Sequence, residues 1–189
     1  MKFNKISLLL LLTANLVLAP PREVKAQEVV STQDILLNEW SYVPKEIIES
    51  FIEDGWQVQL VDNCDSLYGD ELGFLGIQAV TDSRLKTIFI NDSANAIKSS
   101  LIHEVGHYVD WKLNFVSQTT EFNRVYDCER KSFKCTTQGN SQCYATSTPM
   151  EYFAEAFQQV IHKDSGLPYG CPNTYGFVGN IAFNFNEWR

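Results

Sequence analysis

The sequence is poor in the residues that most often bind zinc: it has three histidines among 189 residues and no pair of cysteines in a C-x-x-C spacing. Without such a pair, a zinc site built from cysteine thiolates is not indicated. In an oxidising compartment, the five cysteines would form two disulfides and leave one free thiol, for which Cys64 is the first choice. The predicted bridges brace the second half of the chain, which holds the other four cysteines, Cys128, Cys135, Cys143 and Cys171.

Long apolar runs are also scarce, and the run near the start is too short to span a bilayer comfortably. It extends from Ile6 to Leu18, follows Lys2 and Lys5, and is followed by the small residue Ala26. This order is typical of a secretory signal peptide, so we expect cleavage after residue 26 and a secreted, extracellular or periplasmic, protein of residues 27–189. No membrane anchor is expected after cleavage, because no second apolar run follows.

Positive charge is scarce as well. The chain has 15 basic and 23 acidic residues, which gives a net charge of −8. Loss of residues 1–26 would remove four basic residues and one acidic residue, and the net charge would become −11. Such a surface repels phosphate, which argues against nucleic acid as a partner. The remaining length suits one buried core and is short for two, so we expect one domain, and we expect it to be a monomer.

The hydrophobic pattern predicts an α+β protein. Apolar residues alternate or cluster between turn-forming residues in three predicted strands, at 56–62, 74–80 and 86–91. Capping residues and helical spacing predict helices that begin at Ser31, at Pro44, at Asp92 or Ser93, at Thr119 and at Thr148. The helix that begins at Thr148 is the last one predicted, and the polar segment 135–147 is predicted to be a loop.

One motif carries chemistry: HEVGHYVD, from His103 to Asp110, within the helix that ends near Leu113. Two histidines four residues apart lie on one face of a helix, where both can bind the same Zn²⁺. Glu104, between them, can reach a water at that metal and take its proton. With so few histidines, a chance match is roughly a one-in-a-hundred event. The alternative is a helix that merely exposes two polar histidines.

A zinc ion at this motif needs a third protein ligand. Asp110 and Leu113 occupy the places where a metzincin has a glycine and a third histidine, which excludes that class. His162 is too far along a later helix to share the metal. The remaining type takes its third ligand from a later glutamate, and the candidates are Glu121, Glu129, Glu151 and Glu155.

Glu151 and Glu155 are favoured because they lie in MEYFAEAFQQVI, an apolar segment in which an unpaired carboxylate would be costly to bury. Glu129 lies in the charged segment DCERK and needs no partner there. Glu151 has a structural alternative, since Thr148-Pro-Met-Glu151 fits a capping box, in which case Glu155 or Glu129 would complete the site. Asp110 and Glu155 are candidates to orient the histidines, and surface salt bridges are their alternative role.

The segments HEVGHYVD and EYFAEAF, with a tyrosine seven residues before the first glutamate of the second, resemble the anthrax lethal factor catalytic domain and the secreted Pro-Pro endopeptidases of its family. The similarity extends from about Gly73, through AVTDSRLKTIFIND, to PNTYGF. It implies one zincin-like domain in which a small mixed sheet packs with an active-site helix and C-terminal helices. The cysteines depart from the family pattern, and one of them, Cys143, precedes Tyr144.

The resemblance also implies a role for each site residue. It assigns one zinc per chain to His103, His107 and Glu151, the general base to Glu104 and a catalytic phenol to Tyr144. The expected function is therefore a secreted zinc endopeptidase that hydrolyses an extended polypeptide, bound along an edge strand within 74–80. The alternative is a secreted binding protein or inhibitor that keeps the fold without turnover. Such a protein would not need the general base Glu104.

Overall fold

The computed structural model describes residues 30–73, 75–135, 144–164 and 166–189. The predicted signal peptide and Cys143 lie outside these residues, as does most of the predicted loop. The helices of the described part are α1 Thr32–Trp40, α2 Lys45–Glu53, α3 Asp65–Leu72, α4 Ala94–Lys112, α5 Thr120–Glu129, α6 Pro149–Ile161, α7 Leu167–Gly170, α8 Pro172–Phe183 and α9 Phe185–Trp188. Short 3-10 helices cover Val116–Gln118 and Tyr144–Thr146. The strands are β1 Gln57–Val61, β2 Ala79–Asp82 and β3 Thr87–Asn91.

The three strands form one small mixed sheet in the order β1-β3-β2. β1 runs parallel to β3, whereas β2 runs antiparallel to it through the turn between them. β2 is therefore an edge strand. It begins at Ala79 and not at residue 74 as predicted, because the carboxylate of Asp65 on α3 accepts the N–H groups of Gly76 and Ile77 at 3.0 and 2.8 Å. Those groups are thus directed to α3 and away from the sheet.

Side-chain caps fix where the longer helices begin. Ser93 accepts the N–H of Ala96 at 3.2 Å and starts α4, while Thr148 accepts the N–H of Glu151 at 3.2 Å and starts α6. The predicted starts of both helices are confirmed, since a cap is a local feature that the sequence displays. Within the described residues, no helix combines the length and the apolar character needed to cross a membrane.

The core forms where α4 packs against α6. Every residue of α6 from Tyr152 to Ile161 is buried, and Tyr108 of α4 is fully buried. The two helices approach closely at Gly106, where an added Cβ would lie 2.8 Å from the Cα of Ala154 and 3.2 Å from the Cβ of Phe157. Only glycine fits this position without displacing the helices. The two helices that carry the HEVGH and EYFAEAF segments are therefore held in direct contact.

Further helices follow α6, which corrects the prediction that it is the last. α8 begins at Pro172, and its first N–H groups are accepted by a buried carboxylate from another helix, that of Glu129. Glu129 accepts the N–H of Asn173 at 3.0 Å, and the N–H and hydroxyl of Thr174 at 2.8 and 2.7 Å. The prediction that Glu129 needs no partner in its charged segment is therefore wrong. The same contacts supply the cap that the side chain of Cys171, the residue before α8, does not provide.

The cysteines do not form the two predicted disulfides. Cys64, Cys128 and Cys171 are free thiols, so at most one bridge is possible among the five. The thiol of Cys64 is buried 3.7 Å from the carbonyl oxygen of Gln78, and that of Cys171 is buried 3.6 Å from the carbonyl oxygen of Glu129. Each is packed on its own as a small apolar side chain, which buried cysteines commonly are. Cys64 is free, as predicted.

Candidate active site

Two neighbouring helices bring three potential metal ligands together. α4 presents His103 and His107 one turn apart, and the first turn of α6 presents Glu151. The Oε2 atom of Glu151 lies 3.2 Å from Nε2 of His103 and 3.5 Å from Nε2 of His107. One ligand atom from each residue lies within 4.8 Å of the others. In the part of the chain that the structure describes, no other group of three histidine, cysteine or acidic residues meets in this way.

The donor set and its spacing fit zinc. Two imidazole nitrogens and one carboxylate oxygen are a common protein ligand set for catalytic zinc, which leaves its fourth position open. Tetrahedral bonds of about 2.0–2.1 Å place neighbouring ligand atoms roughly 3.3 Å apart. The observed separations of 3.2 and 3.5 Å agree with this value. The side chains of all three residues are between 14% and 16% exposed, so the cluster can be reached from solvent.

Two side chains of α6 contact His103 on the side away from Glu151. Its second ring nitrogen, Nδ1, lies 3.5 Å from the Oε2 atom of Glu155, a residue that is only 1% exposed. Its backbone N–H donates to the side-chain oxygen of Gln158 at 3.1 Å. A contact such as the one between Nδ1 and Glu155 fixes the ring orientation of a metal-binding histidine and raises its basicity. A surface salt bridge, the alternative role for Glu155, is excluded by its burial.

Asp110 lies at the end of α4 and is likewise 1% exposed, which excludes a surface salt bridge for it too. Its two carboxylate oxygens accept the backbone N–H and the hydroxyl of Ser117, each at 2.7 Å. Burial raises the pKa of Asp110, while the contacts with Ser117 and the charge of His107 act in the opposite direction. Asp110 therefore fixes the turn after α4 by hydrogen bonds, and it interacts with His107 through charge.

The cluster is electrostatically suited to a cation. Burial acts to lower the pKa of His103, but hydrogen bonds to Glu151 and Glu155 outweigh it and raise this pKa to about 10. Burial acts to raise the pKa of Glu151, but hydrogen bonds from His103 and His107 hold it well below its usual range. The carboxylates therefore stabilise positive charge at this position. A metal ion that binds here would displace the proton from His103.

The other two predicted site residues border the cluster. Glu104 is 6% exposed, and its Oε2 atom accepts a hydrogen bond from the hydroxyl of Thr81 at 2.6 Å. The hydroxyl of Tyr144 donates to the Oε1 atom of Glu151 at 3.4 Å. Partial burial and the charges of Glu151 and Glu104 raise the pKa of Tyr144 to about 12. The phenol thus keeps its proton at neutral pH and can donate it in a hydrogen bond.

An open cleft of about 660 Å³ leads to these residues. The edge strand β2 and the segment before it form one wall, and α4 and the start of α6 form the other. Among the described residues that line the cleft, the only charged or titratable groups besides Tyr144 are His103, Glu104, His107, Glu151 and Glu155. The remaining walls are apolar or uncharged, and include Ile77, Val80, Trp111, Phe115 and Met150.

The structure separates the candidates for the third ligand. The Glu151 backbone completes the cap with Thr148, but its carboxylate points to the histidines, so the reciprocal half of a capping box is not formed. Glu155 contacts Nδ1 of His103, on the side of the ring away from Glu151, and Glu129 caps α8. Glu121 is exposed in the first turn of α5. His162 ends α6, where it lies 3.3 Å from Glu39 and away from the cluster.

Known proteins share this sequence pattern. Residues 76–181, more than half of the chain, match the family of the anthrax toxin lethal factor, N- and C-terminal domain. The chain belongs to this family. A Pro-Pro endopeptidase of Clostridioides difficile (strain 630) is 34% identical over 85 residues, which cover 43% of this chain and 36% of that protein. The matched segment thus spans about a third of that relative.

The fold of this lethal factor family member is shared with a solved structure. The Pro-Pro endopeptidase of Paenibacillus alvei superposes with a TM-score of 0.59 at 20% identity, over 79% of this chain and 90% of that chain. The predicted α+β class, with one zincin-like domain and a small mixed sheet, is confirmed. So is the family resemblance.

Three site residues were not predicted from the sequence: Thr81, Gln158 and Ser117. Thr81 lies just after the predicted strand 74–80, and no local pattern shows that its hydroxyl meets Glu104. Gln158 lies on α6 within the apolar segment, where an uncharged polar residue that is 4% exposed could have indicated a buried hydrogen bond. Ser117 lies seven residues after Asp110, beyond the end of the motif helix.

Proposed function

We propose that this protein is a zinc endopeptidase that hydrolyses peptide bonds in an extended polypeptide. The observation that carries the proposal is the convergence of His103, His107 and Glu151, whose ligand atoms lie within 4.8 Å of one another, with Glu104 next to them in the same cleft. A bound zinc ion would supply a Lewis acid that polarises a carbonyl group and makes a water molecule more acidic.

Residues of the chain would transfer the proton, stabilise the developing negative charge and orient a ligand. Glu104 takes a proton from the attacking water and transfers it to the nitrogen of the leaving amine. Tyr144 keeps its proton at neutral pH, and its hydroxyl donates a hydrogen bond to the carbonyl oxygen of the scissile bond as that oxygen gains negative charge. Glu155 holds the ring of His103 through Nδ1, so that Nε2 faces the cleft.

The substrate would pair with β2 as an added strand. β2 is an edge strand of the sheet, and its residues line the cleft beside the cluster. Main-chain hydrogen bonds to such an edge hold a peptide in an extended form, and pockets for alternate side chains select its sequence. Because the described cleft walls carry no charge beyond that of the cluster, Glu104 and Glu155, the residues that flank the scissile bond should be uncharged. Bonds between two prolines are the first to test, because the relatives are named Pro-Pro endopeptidases.

Export is part of the proposal. We propose that residues 1–26 direct secretion and are removed, and that the resulting protein acts outside the cytoplasm as a monomer. Expression of the full chain with its leader in a secreting bacterial host, followed by N-terminal sequencing and sizing of the exported product, would test both points. A product that keeps residue 1 or stays in the cytoplasm would contradict the export proposal.

The proposed activity is tested with residues 27–189 and a library of uncharged and charged peptides that includes Pro-Pro sequences. Cleavage should occur, stop after treatment with a chelator and return on addition of one equivalent of Zn²⁺. The matched control is Glu104→Gln, which keeps the shape of the side chain but should reduce turnover by two or more orders of magnitude. Zinc binding without cleavage of any peptide or protein would favour a binding protein or inhibitor and contradict the proposal.

A further inference from the structure

The hydroxyl of Thr81 makes the shortest contact of the carboxylate in the HEVGH motif. It lies 2.6 Å from the Oε2 atom of Glu104 and 3.1 Å from the backbone oxygen of the same residue. Hydrogen bonds to an ionised carboxylate are short and stronger than those between neutral groups. Among the residues that the structure describes, no other side chain donates to the carboxylate of Glu104.

This contact makes the two oxygens of the carboxylate unequal. Oε2 is occupied by the hydroxyl of Thr81, whereas Oε1 accepts no hydrogen bond from the described residues. A general base must present a free oxygen within hydrogen-bond reach of the proton that it takes. Without a fixed partner, the flexible side chain of glutamate would divide its time between several rotamers.

We propose that Thr81 is a positioning residue for Glu104: it holds Oε2 and leaves Oε1 as the oxygen that takes the proton. The inference rests on the proposed peptidase function and adds a residue to its machinery. Thr81 does not touch the reacting atoms, and it acts through the orientation of the base.

The place of Thr81 in the sheet gives this contact a second consequence. Side chains alternate between the two faces of a strand. Thr81 faces α4, whereas its neighbour Asp82 faces α3, where it accepts a hydrogen bond from the hydroxyl of Tyr68 at 3.0 Å. The edge along which a peptide would pair is therefore attached directly to the base. One residue thus fixes the distance between the strand that holds the substrate and the carboxylate that acts on it.

The test compares variants with and without the hydroxyl. Thr81→Val removes the hydroxyl but keeps the branched shape and the strand propensity. Thr81→Ala removes both the hydroxyl and the methyl group, and Thr81→Ser keeps the hydroxyl and removes only the methyl group. The matched control is Thr87→Val on β3, since the hydroxyl of Thr87 donates to the carbonyl oxygen of Leu85 at 3.0 Å and does not line the cleft. Zinc affinity, Tm, kcat and KM are measured for each zinc-loaded variant.

In Thr81→Val and Thr81→Ala, which lack the hydroxyl, kcat should fall by about ten- to a hundredfold. This is the part of the rate enhancement by general-base catalysis that depends on the orientation of Glu104. Their KM should stay within about threefold and their zinc affinity should be unchanged, because each substitution changes only the side chain that contacts Glu104 and leaves the backbone edge of β2 and the proposed ligands in place. Thr81→Ser should recover most of the kcat, and Thr87→Val should retain the wild-type kcat.

Two kinds of result would contradict the inference, and they can be told apart. If the wild type cleaves peptides and Thr81→Val and Thr81→Ala turn over at the wild-type rate, the positioning role is refuted and the peptidase function stands. The same holds if Thr81→Ser is as slow as Thr81→Val, because the hydroxyl would then not be the cause. A wild type without any zinc-dependent cleavage would refute the peptidase function, and the role of Thr81 with it.

Discussion

Gly106→Ala should separate the two helices that carry the proposed ligands. The added methyl carbon would lie 2.8 Å from the Cα of Ala154, 3.1 Å from its carbonyl oxygen and 3.2 Å from the Cβ of Phe157. Carbon atoms in contact normally lie about 3.5–4.0 Å apart, so α4 and α6 must move apart by about 1 Å. The backbone atoms of Ala154 cannot rotate away as the end of a long side chain would.

The expected cost follows from two opposing effects. Overpacking a core costs typically about 1–3 kcal/mol, whereas glycine to alanine inside a helix contributes roughly 0.5–1 kcal/mol of stability. The net loss should therefore be about 1 kcal/mol, and no more than about 2.5 kcal/mol, in the free energy of unfolding. Zinc binding should suffer as well, because metal–ligand distances tolerate only about 0.2 Å of change. We expect an affinity for Zn²⁺ that is at least about tenfold lower than that of the wild type.

The assay is urea unfolding of the metal-free protein, combined with a zinc competition titration. Gly176→Ala is the matched control, since Gly176 lies within α8 and an added Cβ would meet nothing within 4 Å. That variant should be as stable as the wild type or more stable, with the same affinity for zinc. If Gly106→Ala behaves like Gly176→Ala in both measurements, the close approach of the helices does not control the site, and the reasoning is refuted.

Three further substitutions test single residues. Tyr144→Phe should keep zinc and lower kcat more than it raises KM; unchanged kcat would remove the phenol from the chemistry. Glu155→Ala should weaken zinc binding by about 10- to 100-fold, measured by competition, and equal affinity would contradict its role behind His103. The hydrogen bond from Arg84 is the main cause that lowers the pKa of Asp82 to about 2. The ionised carboxylate therefore contributes about 2 kcal/mol to the free energy of unfolding. This contribution is present above the unfolded pKa near 3.8 and is lost as the pH falls towards 2. Asp82→Asn should therefore be less stable at pH 6 but equal to the wild type near pH 2, and an equal gap at both values would contradict this assignment.

Features that depend on neighbours in sequence could be predicted. The starts of α4 and α6 follow from the caps Ser93 and Thr148, and the position of His103 and His107 on one face of α4 follows from helical spacing. The burial of Glu155 follows from the apolar segment around it. These features are visible because each of them is determined within a few residues of the chain.

Features that depend on distant contacts could not be predicted. β2 starts late because Asp65, on a helix that the sequence did not indicate, takes the N–H groups before the strand. α8 was missed because its cap, Glu129, lies more than forty residues earlier. Thr81 was missed because its contact with Glu104 exists only once the sheet packs on α4. In each case a side chain forms hydrogen bonds with groups that are remote in sequence, and the hydrophobic periodicity of the sequence does not indicate such contacts.

The central claim is that His103, His107 and Glu151 together hold one zinc ion. It is tested most directly by measuring zinc stoichiometry and affinity for residues 27–189 and for the variant Glu151→Gln. The account predicts one zinc per chain in the wild type and an affinity at least about ten- to a hundredfold lower in the variant, because a neutral amide is a much poorer donor to Zn²⁺. Glu151→Gln protein that binds one zinc with wild-type affinity would contradict the claim.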